Sequence, residues 1–292
     1  MGRATRILAE GIYFGEGPRW HKGRLWFSDF HDHAVKSVSS AADLRTEFRI
    51  DDQPSGLGWM PDGSLLVVSM VKRQVLRRST AGDITLHANL NEIAGFHCND
   101  MVVDSHGRAY VGNFGFDLDT ELEARGPESV IADHKTAKLA CISPDGVPRV
   151  AAADMHFPNG SVITPDGGTL IVGETLAGAL TAFDVDDDGL LSNRRLWAST
   201  WPRTPDGIAL NAAGGIWIAN PIAPECALIA AGGEVLEVID TAQPCYACML
   251  GGNDGRTLFM LTAPTSIGRV AAAAPLGRLL VATVDVPHAG LP

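Results

Sequence analysis

One unit recurs along this chain of 292 residues: a turn glycine followed at once by a short apolar strand. The copies are Gly23-Arg24-Leu25-Trp26-Phe27, Gly63-Ser64-Leu65-Leu66-Val67, Gly107-Arg108-Ala109-Tyr110-Val111, Gly167-Gly168-Thr169-Leu170-Ile171, Gly215-Ile216-Trp217-Ile218 and Gly255-Arg256-Thr257-Leu258-Phe259. Successive copies lie 40 to 60 residues apart, the length of a four-stranded propeller blade plus a variable loop. A second strand pair follows, as in Ala34-Val35-Lys36-Ser37-Val38, Gln74-Val75-Leu76-Arg77-Arg78 and Lys138-Leu139-Ala140-Cys141-Ile142. The pattern predicts an all-β chain: a six-bladed β-propeller with four-stranded antiparallel blades, residues 1–292 forming one domain.

Apolar positions alternate with period two, and Pro61-Asp62-Gly63 and Pro165-Asp166-Gly167 interrupt the runs as turns, so almost no helix is expected. The 32 glycines and 17 prolines suit many short strands joined by tight turns. The widest interval, Gly107 to Gly167, holds the charged stretch Asp117–Asp133, with a possible helical turn at Thr120–Ala124; it is the candidate loop over one face. A propeller must close its ring to remove exposed sheet edges. Thr5–Ala9 is expected to pair beside Leu279–Thr283.

Composition narrows the partners. A net charge of −11 without a basic cluster opposes binding to phosphate backbones, so no nucleic acid is expected. The N-terminal residues lack a signal-peptide pattern and no apolar run is long enough to span a membrane, which makes cytoplasmic residence and no membrane association the expectation. The five cysteines are odd in number and scattered, as reduced thiols are. A small-molecule substrate is the expected partner.

Counting back about eight residues from each turn glycine, or seven in the first copy, reaches one equivalent place in the innermost strand of every blade: Glu16, Ser55, Asn99, Asn159, Asp206 and Ala247. Inner strands surround one channel, so these positions form a ring in which two carboxylates and two amides converge. Two facing carboxylates without water or a cation would be strongly unfavourable, and hard oxygen donors of this mixture suit Ca²⁺ first, with Mg²⁺, Mn²⁺ or Zn²⁺ as alternatives. Glu16, Asn99, Asn159 and Asp206 are thus the candidate ligands of one divalent metal ion. The glycines after Glu16, Asn159 and Asp206 are expected to let backbone or substrate approach the ion.

With these residues in view, the chain resembles the senescence marker protein/gluconolactonase family of metal-dependent six-bladed propellers. The motifs are Gly15-Glu16-Gly17-Pro18-Arg19-Trp20, Asn99-Asp100 followed by Asp104 and Gly107, Pro158-Asn159-Gly160, Pro205-Asp206-Gly207 with Ile216-Trp217-Ile218-Ala219, and Gly255-Arg256-Thr257-Leu258-Phe259. The resemblance implies that Glu16, Asn159 and Asp206 bind the metal, and that Asn99 completes the coordination or binds substrate. Members of the family commonly carry an arginine two residues before the Asn99 position, where this chain has His97.

A metal with four protein ligands keeps positions for water and substrate, which points to a hydrolase opening a lactone or related small ester. Asp206 is the candidate base or nucleophile, and Asn99 joins it in the catalytic set. His97, Ser55, His156 and Trp201 are candidate substrate-binding residues. Phe96, Phe114, Phe157 and Tyr246, with Trp201, suggest a mouth more apolar than a sugar acid prefers. The alternatives are organophosphate (phosphotriester) hydrolysis at the same site and a non-enzymatic metal-binding propeller. Cys245-Tyr246-Ala247-Cys248 has redox-motif spacing but falls on an inner strand, so buried thiols are expected.

Overall fold

The computed structural model describes residues 3–292. Among these residues the strands form six four-stranded sheets, each antiparallel throughout. The innermost strands are Gly15–His21, Pro54–Trp59, Cys98–Val103, Pro158–Ile163, Ile208–Leu210 and Cys245–Gly251. Each packs against the next in chain order and the last packs against the first, so the ring is closed: a six-bladed β-propeller. In the sixth blade the outermost strand is Arg6–Ile12, which pairs with Gly277–Thr283 through Arg6 opposite Val281 and Ile7 opposite Leu280. The expected closure between the two ends of the chain is therefore present.

Period-two alternation gives each blade two apolar faces, and these are buried between blades rather than within one. Leu66 and Val68 of the second blade share a cluster with Met101 and Val111 of the third, and Trp217 of the fifth shares one with Leu250 and Met260 of the sixth. Side chains of this size, fully buried, each contribute about 1.5–3 kcal/mol. Pro61-Asp62-Gly63 is a turn, as expected: Gly63 has φ +84° and Asp62 accepts the amide of Ser64.

The glycines beside the ring residues lie against neighbouring backbone. A Cβ on Gly56 would lie 2.4 Å from the amide nitrogen of Met101, and one on Gly207 would lie 2.7 Å from the Cα of Ala247. These glycines admit the backbone of the next blade's inner strand.

Helix is scarce, as expected, but the helical turn expected at Thr120–Ala124 belongs to a larger insertion in the third blade. It forms α1 (Leu118–Arg125) and α2 (Pro127–Ala132). Asp117 caps α1 by accepting the amide of Thr120, and Pro127 opens α2 where no backbone donor is needed. A third short helix, α3 (Gly268–Ala271), comes from the sixth blade. The amide of Gly268 reaches Asp119 Oδ2 at 3.5 Å, so the two insertions meet above the channel and form a roof.

Candidate functional site

Ring residues are aimed at the axis by a repeated irregularity of the inner strands. In the third blade, Cys98 to Met101 spans the same ladder length as Asn113 to Val111 on the second strand, so one extra residue is accommodated there. The same offset occurs between Glu16 and Arg19, between Pro54 and Leu57, and between Pro158 and Ser161. Each bulge coincides with a ring position, and bulges turn a side chain out of the regular pleat. In the fifth blade the ladder begins only at Ile208, which leaves Asp206 outside it.

Glu16, Ser55, Asn99, Asn159 and Asp206 are all buried and all line one cavity of about 400 Å³ at the channel mouth. Burial pushes the carboxyl of Glu16 well above the usual range, and the charges of Asp206 and Asp100 push it further. Asp206 is raised in the same way by burial and by Asp100. Beneath them Arg19 crosses three blades: its Nε donates to Leu57 O at 2.9 Å, and its Nη2 donates to Asp100 Oδ1 at 3.0 Å and to the carbonyl of Met101. Asp100 also accepts the amide of Met101 at 2.7 Å. It is therefore a buried ion-pair partner in the cavity floor.

The two amides are oriented by neighbours. Asn99 Nδ2 donates to Pro158 O at 3.1 Å, which commits its nitrogen and leaves Oδ1 buried without a hydrogen-bond partner. Gly112 makes room for that oxygen, since a Cβ there would lie 2.6 Å from it. Asn159 Nδ2 donates to Thr175 Oγ1 at 3.2 Å, and the Thr175 hydroxyl donates to Pro205 O at 2.8 Å. Thr175 thereby couples Asn159 to the segment that carries Asp206.

This donor set fits a divalent cation. An orphaned amide oxygen and two buried carboxylates with raised affinity for protons are what a hard cation relieves. With all groups ionised, the carboxylates of Glu16, Asp100 and Asp206 less the one guanidinium of Arg19 leave two negative charges. Among the described residues no three of His, Cys, Asp and Glu converge as a metal-binding group, so amide oxygens must complete any such site.

Of the substrate-binding candidates, Ser55 and His97 line the cavity. His97 stacks on Phe96 at 4.0 Å, and burial lowers its pKa. His156 and Trp201 lie outside the lining. The ring of His156 is turned into a 2.9 Å hydrogen bond between its Nδ1 and Nε2 of His134, whose own Nδ1 bonds Val130 O in α2. Trp201 packs over Gly178 and is 57% exposed. Phe114, Phe157 and Tyr246 line the cavity as expected, whereas Phe96 stands behind His97. All five cysteines are buried and free.

Sequence reasoning missed Thr175, the bridging role of Arg19 and the roof residues Leu118, Leu122, Val130 and Ile131. Arg19 stood within the Gly-Glu-Gly-Pro motif, but its reach across three blades has no local signal. The alternation of Leu118, Leu122, Val130 and Ile131 with charges was visible, yet only the fold shows which face looks down.

Residues 14–264 match the model of the SMP-30/Gluconolactonase/LRE-like region. The chain is 25% identical to a pentonolactonase of Haloferax volcanii, over 74% of this chain and 69% of that protein. It is 24% identical to a gluconolactonase of Zymomonas mobilis, over 87% and 77% of the two chains. A crystal structure of a calcium-binding protein, regucalcin, from Agrobacterium tumefaciens superposes with a TM-score of 0.80 at 20% identity, covering 99% of this chain and 97% of that one. With the match extending from the segment before Glu16 to the last blade, this chain belongs to the SMP-30/gluconolactonase/LRE-like family.

Proposed function

We propose that this protein is a divalent-cation-dependent hydrolase that opens a lactone, with a small molecule as its partner at the axis. One observation carries the reading: two buried carboxylates and an amide oxygen without a partner line one roofed cavity. The lactonase names of the relatives in Haloferax volcanii and Zymomonas mobilis support it.

When bound, a divalent cation held by Glu16, Asn159 and Asp206, with Asn99 as a further donor, would supply Lewis-acid polarisation of the substrate carbonyl. Asp206 acts as the base. It takes a proton from water as the water oxygen bonds to the carbonyl carbon. The ring C–O bond then breaks, the departing oxygen takes that proton from Asp206, and a hydroxy acid results. Asn99 and Asn159 hold their donors still because Pro158 and Thr175 have fixed their amides. Ser55 and His97 contact the substrate from the cavity wall.

The test begins with the metal content of protein purified without added ions. Reconstitution with Ca²⁺, Mg²⁺, Mn²⁺ or Zn²⁺ and a panel of lactones and phosphotriesters follows. The expected result is cation-dependent lactone turnover. Phosphotriester turnover in its place would convert the reading to organophosphate hydrolysis, and no turnover of either class with any metal would remove the hydrolase reading.

A further inference from the structure

We propose that the lactone taken by this site carries an apolar substituent, an alkyl chain or an aryl group, lodged beneath the α1–α2 roof. This rests on the lactonase reading above and adds the substrate class to it. The cavity is divided by depth. Its floor is polar, formed by the ring residues with Asp100, Thr175 and Thr204. Above the floor it is walled by aromatic rings from opposite sides of the propeller. Phe14 meets Tyr246 at 4.6 Å on the side of the first and sixth blades, and Phe114 meets Phe157 at 4.6 Å on the side of the third and fourth. Leu118, Leu122, Val130 and Ile131 complete the enclosure from the roof.

The polar side chains at this upper level are His31, Gln53, His97, Asp119, Ser266 and Tyr246, and part of this set is engaged within the protein. Gln53 Nε2 and His31 Nδ1 lie 3.4 Å apart, and Asp119 is drawn to the amide of Gly268. Among the described residues no lysine or arginine lines the cavity, so nothing there offers a charged grip on a carboxylate or phosphate substituent. A sugar lactone would bring several hydroxyls against these aromatic and aliphatic walls, where each one left without a partner loses its hydration uncompensated. An apolar substituent gains from the same walls. The floor handles the ester group and the walls handle the substituent, the usual division in a small-molecule pocket.

The cation-reconstituted protein is assayed with γ-butyrolactones bearing hydrogen, butyl, hexyl or phenyl, and with gluconolactone and xylonolactone. We expect kcat/KM to rise roughly fourfold per methylene up to hexyl, with both sugar lactones at least about 100-fold below the hexyl compound. Binding of the corresponding γ-lactams, which are not hydrolysed, is measured in parallel by calorimetry and is expected to follow the same order. The variants Leu122→Asn and Ile131→Asn are expected to flatten the dependence on chain length in both measurements. Sugar lactones turned over best would overturn the substrate class while the lactonase reading stands. Absent turnover with chain-dependent lactam binding would retain an apolar ligand and remove the lactonase reading. Turnover and binding both indifferent to chain length, or a dependence untouched by the roof variants, would overturn the proposal.

Discussion

Glu16 and Asp206 are the two ring carboxylates without a cationic partner among the contacts described, since Arg19 is committed to Asp100. Their raised pKa values set a sign. A carboxyl whose folded pKa exceeds its unfolded value contributes stability that is complete below the unfolded pKa, near 4, and is lost as pH rises through the folded pKa. Protein stripped of divalent ions should therefore lose this contribution on going from acid to neutral pH. Asp206→Asn removes one of the charges. In chelator the variant should be more stable than wild type by on the order of 1–3 kcal/mol near neutral pH, with the gap narrowing toward about pH 5. Thermal melts of both proteins across that range check it, and a gap that widens in acid would contradict the assignment. In the proposed reaction the same substitution should lower kcat by roughly 10²–10⁴-fold and abolish stabilisation by added cation. A folded variant with wild-type turnover would remove Asp206 as the base.

At the element scale, the inner strands of the first four blades combine a bulge at the ring position with close packing on the next inner strand. Gly56 shows how little space remains, for its hypothetical Cβ would lie 2.4 Å from the amide nitrogen of Met101, a backbone atom that cannot swing aside. Gly56→Ala should cost about 3 kcal/mol or more, read as a drop in the denaturant midpoint at unchanged slope. A cost near zero would mean that the inner strands are not held at this spacing. The Glu16-Gly17, Asn159-Gly160 and Asp206-Gly207 pairs were legible in the sequence, but the neighbouring backbone that each glycine admits was not. Spacing along one strand carries no information about which neighbouring backbone comes to rest against it. The α1–α2 insertion was legible as a charged interval with one helical turn but not as two helices, because helices this short depend on capping and on the roof contacts more than on propensity.

For the whole molecule, closure depends on residues at the two ends of the chain. Leu8 and Ile12, in the strand that completes the sixth blade, are buried against it and against the first blade. Deleting residues 1–10 removes most of that strand, exposes the edge formed by Gly277–Thr283 and opens the ring between its first and last blades. The expected loss is roughly 3–5 kcal/mol, or on the order of 10 °C in Tm, measured by calorimetry or circular dichroism. An unchanged Tm would show that the pairing of Arg6 with Val281 and its neighbours contributes nothing to closure.

The repeated turn glycine and strand determined the blade number, the ring closure and the list of residues that reach the axis, because each is a matter of period and register along the chain. Tertiary structure alone decided the rest. It placed Arg19 under the ring, fixed the amides of Asn99 and Asn159 through Pro158 and Thr175, moved His156 and Trp201 off the cavity lining, and turned Leu122 and Ile131 toward it. Those hydrogen bonds join residues 16 to 81 positions apart along the chain. A side chain's partner there depends on packing angle and depth, and neither is written in the local order of residues.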